Sequence, residues 1–383
     1  MRLGSKMQPN NKKIVFLLGT FEPAMCGVSD YVRVLRNKLR SKGYLCFCVA
    51  INDRYAKPED FQIVSNLNSE KDFRLSSTLP WSERKNILKL LLDTINPDFI
   101  SLQYVPHSFD KKGLPYQLIG LLKAVKDDYK WGIMAHELWG GSKKRMRDKG
   151  LYILQKWLTL YIIKNVNPNI VHVSNHNYQK RLLKEEIKSK ILPIFSNIPY
   201  SKKPCEGKRS NKIWTFVIFG MISTDWNPYE LLENIEKARV KYELESCNFI
   251  SIGKCGEYGE KLWRELSVAS KTIYPYFAFK LMGIISAEEI SYHLQSADFG
   301  LSRTPSHLVE KSGTIAAMHA HGLPVIINNI HEKDIRWHER LVKDSKYILL
   351  DQNFIYNIMN KKNSMKPVDQ LEDAAQGFIG DIN

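Results

Sequence analysis

Five consecutive residues, Glu310-Lys311-Ser312-Gly313-Thr314, set a carboxylate, an ammonium, two hydroxyls and a glycine ahead of the apolar run IAAMHAHGLPVI. If a helix starts near Ser312, the N–H groups of Ser312, Gly313 and Thr314 and the Lys311 side chain point at whatever lies before it. The helix dipole then favours an anion there, and Gly313 lets the backbone approach closely. A diphosphate suits such a pocket, with Glu310 beside it to accept a hydrogen bond from a sugar hydroxyl. A Ser or Thr at this place is also an ordinary helix N-cap, and that reading stays open. His319 and His321 lie beyond the first turn and are expected to face neighbouring structure.

Other chemistry-bearing residues gather just after short apolar runs. KIVFLLG is followed by a loop whose Gly27-Val28-Ser29 can open a helix with free N–H groups. SLQY runs into VPHSFD with His107, GIMA into HELWGG with His136, Glu137 and Trp139, and NIVHVS into NHN. Later, VIFG meets MISTDWNP, ISIG meets KCGEYG with Lys254 and Glu257, and GLSR meets TPSHLVEKSG. Open parallel sheets bind ligands beyond the carboxyl ends of their strands. Seven such junctions therefore predict a cleft between two facing domains, each contributing strand ends. For any one of them, His107 above all, an ordinary surface or hydrogen-bonding role is the alternative.

The elements that must hold these residues follow from periodicity. Short β-branched and aromatic runs alternate with amphipathic stretches, which predicts α/β architecture with parallel sheets. Strands are read at 13–19, 45–51, 99–104, 130–135 and 169–174, and again at 213–220, 248–253, 279–283, 298–303 and 323–328. Gly43 suits a helix C-cap, Ser82 an N-cap, and Ser286 with Glu289 a capping box. The polar segment 197–212 interrupts the alternation and reads as an interdomain linker.

The chain carries 56 Lys and Arg against 40 Asp and Glu, a formal charge of +16. Such an excess favours anionic partners and says nothing of fold. It is densest at Lys143, Lys144, Arg145, Arg147 and Lys149, which read either as a solvated basic face or as a contact to an anionic membrane surface. The apolar stretch that follows, 151–165, reads as a helix packed into the first domain. There is no helix-turn-helix signal, zinc spacing or RNP-like motif, so nucleic acid is not expected. The six cysteines show no metal-ligand spacing, and Cys46 and Cys48 share one strand face, so reduced structural thiols are expected. No run approaches the roughly twenty apolar residues of a membrane span, and a cytoplasmic protein, peripheral at most to the inner membrane face, is expected.

Taken in order, GVSDY, HELWGG, FGMISTDWNP, LMGIISAEEISYHLQSADFGLS and EKSGTIAAMHAHGLPVI make the chain, over roughly residues 13 to 330, resemble the GT-B glycosyltransferases, in particular glycosyltransferase family 4. The resemblance implies two facing Rossmann-like domains: 1–200 on the acceptor side, 201–345 holding a nucleotide-sugar donor, and a tail, 346–383, helical and packing back toward the first. It implies a retaining transfer of a sugar to a hydroxyl acceptor, a glycan or lipid-linked saccharide. His136 and Glu310 would lie at the reacting centre. Gly27, Val28, Gly220, Lys254, Met282, Gly283, Ile284, Arg303, Lys311, Ser312, Gly313 and Thr314 would hold the donor, and Ser29, His107, Glu137 and Trp139 the acceptor side. No metal or other cofactor is implied, and no D-x-D motif is present to hold one.

Two departures accompany the match. The family's second glutamate falls on Met318, or on Ala317 when HGLPV is aligned, and its basic pair is replaced by Met221 and Trp226. Charge compensation is then left to Lys254, Arg303 and Lys311. A chain of this fold that binds a sugar or a partner without catalysis would show the same losses.

Overall fold

The computed structural model describes residues 12–21, 27–58, 72–140, 146–201, 211–330, 335–362 and 365–383. Two compact units form, Met1–Pro193 together with Leu371–Asn383, and Ile194–Gln370.

In the first unit β1 (Lys13–Leu18), α1 (Gly27–Ser41), β2 (Leu45–Asp53), β3 (Asp72–Ser76), α2 (Trp81–Ile95) and β4 (Phe99–Tyr104) come first. There follow α3 (Pro106–Phe109), α4 (Tyr116–Lys123), β5 (Trp131–Ala135), α5 (Met146–Val166), β6 (Ile170–Val173), α6 (His176–Leu183) and β7 (Lys190–Ile191). The seven strands are parallel in the order β3-β2-β1-β4-β5-β6-β7. Both faces are covered, so β4 and β5 are buried at every position, the pattern expected of a parallel sheet between helices.

The second unit contains β8 (Ile213–Phe219), α7 (Tyr229–Lys241), β9 (Ser246–Ile252), α8 (Gly256–Ile273), β10 (Phe277–Gly283), α9 (Ala287–Ser296) and β11 (Phe299–Ser302). A 3-10 turn (Ser306–Lys311), α10 (Gly313–Ala320), β12 (Val325–Ile327), α11 (Ile335–Lys343), β13 (Tyr347–Leu349) and α12 (Phe354–Lys361) complete it. Its six parallel strands run β10-β9-β8-β11-β12-β13. The last helix, α13 (Leu371–Ile382), belongs to the first unit. There it buries Phe378 against Phe16, ring centroids 5.7 Å apart, and against Phe99 at 6.0 Å.

One row of side chains sets the register of the second sheet. Phe299, Phe216, Phe249 and Phe279 are paired on neighbouring strands, with centroids 5.3, 4.9 and 4.7 Å apart. Cross-strand aromatic pairs of this kind favour one register over its neighbours. Four residues beyond each of these rings stand Arg303, Gly220, Gly253 and Gly283 respectively, the first three just past their strands and Gly283 the last residue of β10. The ladder therefore levels the ends of β11, β8 and β9, while in β10 the pairing slips between Leu281 and Gly283.

Several local expectations meet the structure directly. Gly43 takes a left-handed turn, φ 92°, just past α1, and Ser286 with Glu289 forms the capping box of α9. Ser82 does not cap α2: the helix begins one residue earlier, Pro80 occupies the cap position and no side chain bonds there. Three strands, β3, β7 and β13, were not expected: β7 and β13 are only two and three residues long, β13 lying in the 346–383 stretch expected to be helical. β3 is edge-bound and polar at Asp72 and Arg74, which pair with Arg36 and Asp53. Cys46, Cys48, Cys247 and Cys255 are free and buried, and burial pushes the first three thiols up to about 12.

Candidate functional site

In each unit the strand order reverses at one place, between β1 and β4 and between β8 and β11. A crevice opens at such a switch point, where adjacent connections leave in opposite directions. Of the expected site residues of the second unit, Gly220, Arg303 and the 310–314 segment follow β8 and β11 at its switch point, while Lys254 follows β9 and Met282, Gly283 and Ile284 lie at the end of the edge strand β10. Gly220 directly follows β8 with φ 91°, and a Cβ there would stand 3.3 Å from the Thr314 methyl. Gly253 and Gly283 also have positive φ, 85° and 67°, and the Gly253 N–H donates to the Gly283 carbonyl at 2.7 Å. Three neighbouring strands thus end in backbone bare of side chains, with the start of α10 against the first of them.

The segment from Pro305 to Ile326 is not one helix. The 3-10 turn carries Glu310 and Lys311, and α10 begins afresh at Gly313. Ser312 is its N-cap, accepting from the Ile315 N–H at 3.4 Å, and its hydroxyl lies 3.0 Å from that of Thr314. The capping reading of Ser312 is met by this geometry; its own N–H is spent on the Val309 carbonyl at 3.2 Å, so of the three N–H groups expected to face an anion those of Gly313 and Thr314 are left. Gly313 is exposed, and a Cβ on it would meet nothing within 4 Å. The Glu310 carboxylate lies 3.5 Å from the Arg340 guanidinium of α11. Lys254 is exposed directly after Gly253, and Arg303 bears electrostatically on Asp225 in the loop after β8. Met282 packs on the apolar core below, while Ile284 is 73% exposed.

The back of α10 explains the missing carboxylate. Ala317 and Met318 are buried, and the Met318 sulfur lies 2.4 Å from where a Gly300 Cβ would be. Glycine in β11 makes room for this sulfur, so a glutamate at 317 or 318 would project a charge into apolar core, at a cost of several kcal/mol. His319 and His321 are also buried. Desolvation lowers His319 to about 3, while His321 bonds Ser291 at 2.8 Å and the Ala317 carbonyl at 2.7 Å.

In the first unit the residues follow β1, β4 and β5. Gly27 opens α1 and is exposed, Val28 is half-buried, and the buried Ser29 donates to the Thr20 carbonyl at 3.2 Å. His136, just past β5, is buried, with Nε2 2.8 Å from Gln103 Oε1 and the Tyr31 ring edge-on at 4.9 Å. The Gln103 amide in turn donates to Ser101 at 2.8 Å. The half-buried Glu137 follows, its N–H 3.4 Å from the Tyr104 carbonyl. Trp139 is buried, donates to the Tyr152 hydroxyl at 3.1 Å and lies under the Arg181 guanidinium at 4.5 Å. It holds the HELWGG loop to α5 and α6. His107 is exposed on α3, 3.3 Å from the Lys111 carbonyl. Lys143, Lys144 and Arg145 lie outside the described residues, as does the side chain of Arg147; Lys149 is exposed on α5. Gln103, Tyr31 and Gly253 are additions that the strand-end reading alone does not supply. The signals for two of them are in the sequence: polar residues alternating within the otherwise apolar FISLQY, and the repeated Phe-x-x-x-Gly of FVIFG, FISIG and FKLMG.

No protein-family model and no curated protein matches the sequence. Solved structures do match. Sucrose-phosphate synthase from Thermosynechococcus elongatus aligns at TM-score 0.54 and 14% identity, over 97% of this chain and 95% of that one. HepE from Anabaena, in complex with UDP and glucose, aligns at 0.56 and 12% over 97% of both chains. The chain has the GT-B fold. Within GT-B structures the likeness extends to UDP-GlcNAc 2-epimerase from Methanocaldococcus jannaschii, at 0.52 and 11% over 96% of this chain and 98% of that one. Identities this low carry the fold and leave the reaction to the site.

Proposed function

We propose that the protein is a retaining glycosyltransferase, akin to glycosyltransferase family 4, moving a sugar from a nucleotide-sugar donor to a hydroxyl acceptor. The acceptor class is a glycan or lipid-linked saccharide of cell-surface polysaccharide or glycoconjugate synthesis. The observation that carries this reading is Gly220 with the start of α10 against it at the β8/β11 switch point, and the row Gly253 and Gly283 that continues it along β9 and β10. Bare backbone, with the Gly313 and Thr314 N–H groups at the start of α10, suits a diphosphate.

As the glycosidic bond to the diphosphate stretches, negative charge grows on the leaving phosphate. The α10 amides stabilise it, with Lys254, Arg303 and Lys311 as the available cations. No metal is required in this scheme, because protein cations and N–H groups supply the compensation. His136 and Glu310 position the sugar. With no nucleophilic side chain assigned, the acceptor hydroxyl attacks on the leaving-group face, which retains configuration.

A second reading, a GT-B protein that binds sugar or partner without turnover, is favoured by one observation, the buried Ala317 and Met318 where a ribose-binding carboxylate is expected. Incubation with a panel of nucleotide sugars separates the two. Binding with slow donor hydrolysis, insensitive to chelator, is expected; binding without any turnover supports the second reading, and no binding overturns both. With the donor in hand, Glu310→Gln should lower kcat/KM by at least about tenfold. An unchanged value removes Glu310 from the site.

A further inference from the structure

α5 is apolar on two sides. Leu158, Ile162, Ile163 and Val166 are buried against the first unit, as expected of a packed helix. Ile153, Leu154 and Trp157 are not: they are 63, 44 and 54% exposed, on one outward stripe. Packing into the domain thus leaves three large apolar side chains outside it. A helix apolar all round is ordinarily covered on every side, and three large exposed side chains in succession mark a contact surface.

The ends of the stripe are charged. At 3.6 residues per turn Lys149 and Lys164 fall within about a quarter turn of Ile153 and Trp157, spaced about 22 Å along the helix. Both are exposed. The Trp157 ring stacks on Tyr161 at 5.3 Å, and Lys123 of α4 reaches over that ring at 5.5 Å. Apolar and aromatic side chains with lysines at their margins are the composition of a helix lying flat at a lipid–water interface, where lysine stems extend to the headgroups.

We propose that this outer face of α5 docks on an anionic phospholipid bilayer. Charge decides against a second copy of the chain: a two-fold contact would set Lys149 and Lys164 against the same patch, in a molecule already at +16. The inner side of the same helix gives docking a consequence. Tyr152 accepts from Trp139, while Gln155 accepts from the Gly140 N–H at 3.2 Å and donates to the Lys112 carbonyl at 2.8 Å. The loops carrying His136 and His107 are therefore fastened to the face that meets the bilayer, where a lipid-linked acceptor would be presented. That last step rests on the glycosyl-transfer reading; the docking itself does not. No helix among the described residues is long and apolar enough to cross a membrane, so contact is at the surface.

Sedimentation of the full chain with vesicles of phosphatidylcholine, with and without phosphatidylglycerol, tests the assignment. Binding to the anionic vesicles, weakened by salt, is expected. Lys149→Glu with Lys164→Glu should weaken it by about thirtyfold or more, and replacement of Ile153, Leu154 and Trp157 by Gln should abolish it. These side chains are exposed, so thermal melts of the variants should match the parent. Absence of binding to anionic vesicles, or parental binding by the Gln variant, overturns the proposal. So does a parent that is dimeric in solution and a Gln variant that is monomeric, because the stripe is then a self-interface. Nucleotide-sugar binding in solution is scored alongside. Its failure with vesicle binding intact removes the transferase reading alone, and the converse removes only the membrane face.

Discussion

At the scale of single residues, the site depends on atoms that are not there. Gly220 has φ 91°, and a methyl on it would press on Thr314 at 3.3 Å, whereas a methyl on Gly313 would point into open space. The two glycines therefore separate folding from binding. Gly220→Ala should cost about 1–3 kcal/mol of stability from the left-handed backbone and also weaken nucleotide binding. Gly313→Ala should melt at or above the parent temperature, since alanine is the better helix former, yet lose nucleotide affinity by about tenfold if the proposed diphosphate fills that space. Melting curves and calorimetric titration read both; unchanged affinity in Gly313→Ala would place the phosphate elsewhere. Glu310, Lys311, Ser312 and Thr314 were legible as a polar group at a helix start. Their partners were not: the Arg340 contact to Glu310 comes from a helix about thirty positions away, and sequence periodicity says nothing of such distances.

At the scale of elements, the phenylalanine ladder is the device that aligns the site. Phe216 sits between Phe299 and Phe249, fully buried, and the positions of Gly220 and Gly253 follow from its register, whereas the pairing slips before Gly283. Phe216→Ala should cost about 3–5 kcal/mol, read as a lower urea midpoint, and should lower nucleotide affinity in the surviving folded fraction. Phe216→Leu keeps most of the volume and should cost much less; equal losses in the two would mean that the ring contributes no more than any apolar group. The strands themselves were readable because buried parallel strands are continuous apolar runs. β3, β7 and β13 were not readable, because edge strands of two to five residues owe their pairing to the neighbour. The start of α2 was misplaced for a related reason: Ser82 has the right chemistry for a cap, but the chain turns at Pro80.

At the scale of the molecule, the chain's last helix belongs to its first unit. Glu372 of α13 pairs with Lys38 at 2.6 Å and with Lys42, and Asp381 pairs with the buried His172 at 2.9 Å and with Lys190. Phe378 fills the space between Phe16 and Phe99. Phe378→Ala should therefore raise amide hydrogen exchange in β1 and β4, by the loss of about 3–5 kcal/mol of packing, and leave β8 and β9 protected as before. Increased exchange confined to β8 and β9 would contradict the assignment of α13 to the first unit.

The sequence by itself determined the architecture and nominated the strand-end loops as the place to look for function. Hydrophobic alternation specifies helices and parallel strands, and a parallel sheet confines its ligands to the carboxyl ends, so the polar loops after each run marked the place. Only the tertiary structure decided which of those residues meet. Strand order created the β8/β11 switch point, the packing of α10 on Gly300 excluded a carboxylate at 317 and 318, and burial of one side of α5 left its other apolar side facing outward. Each of these depends on which element lies next to which, a long-range property that local periodicity does not encode.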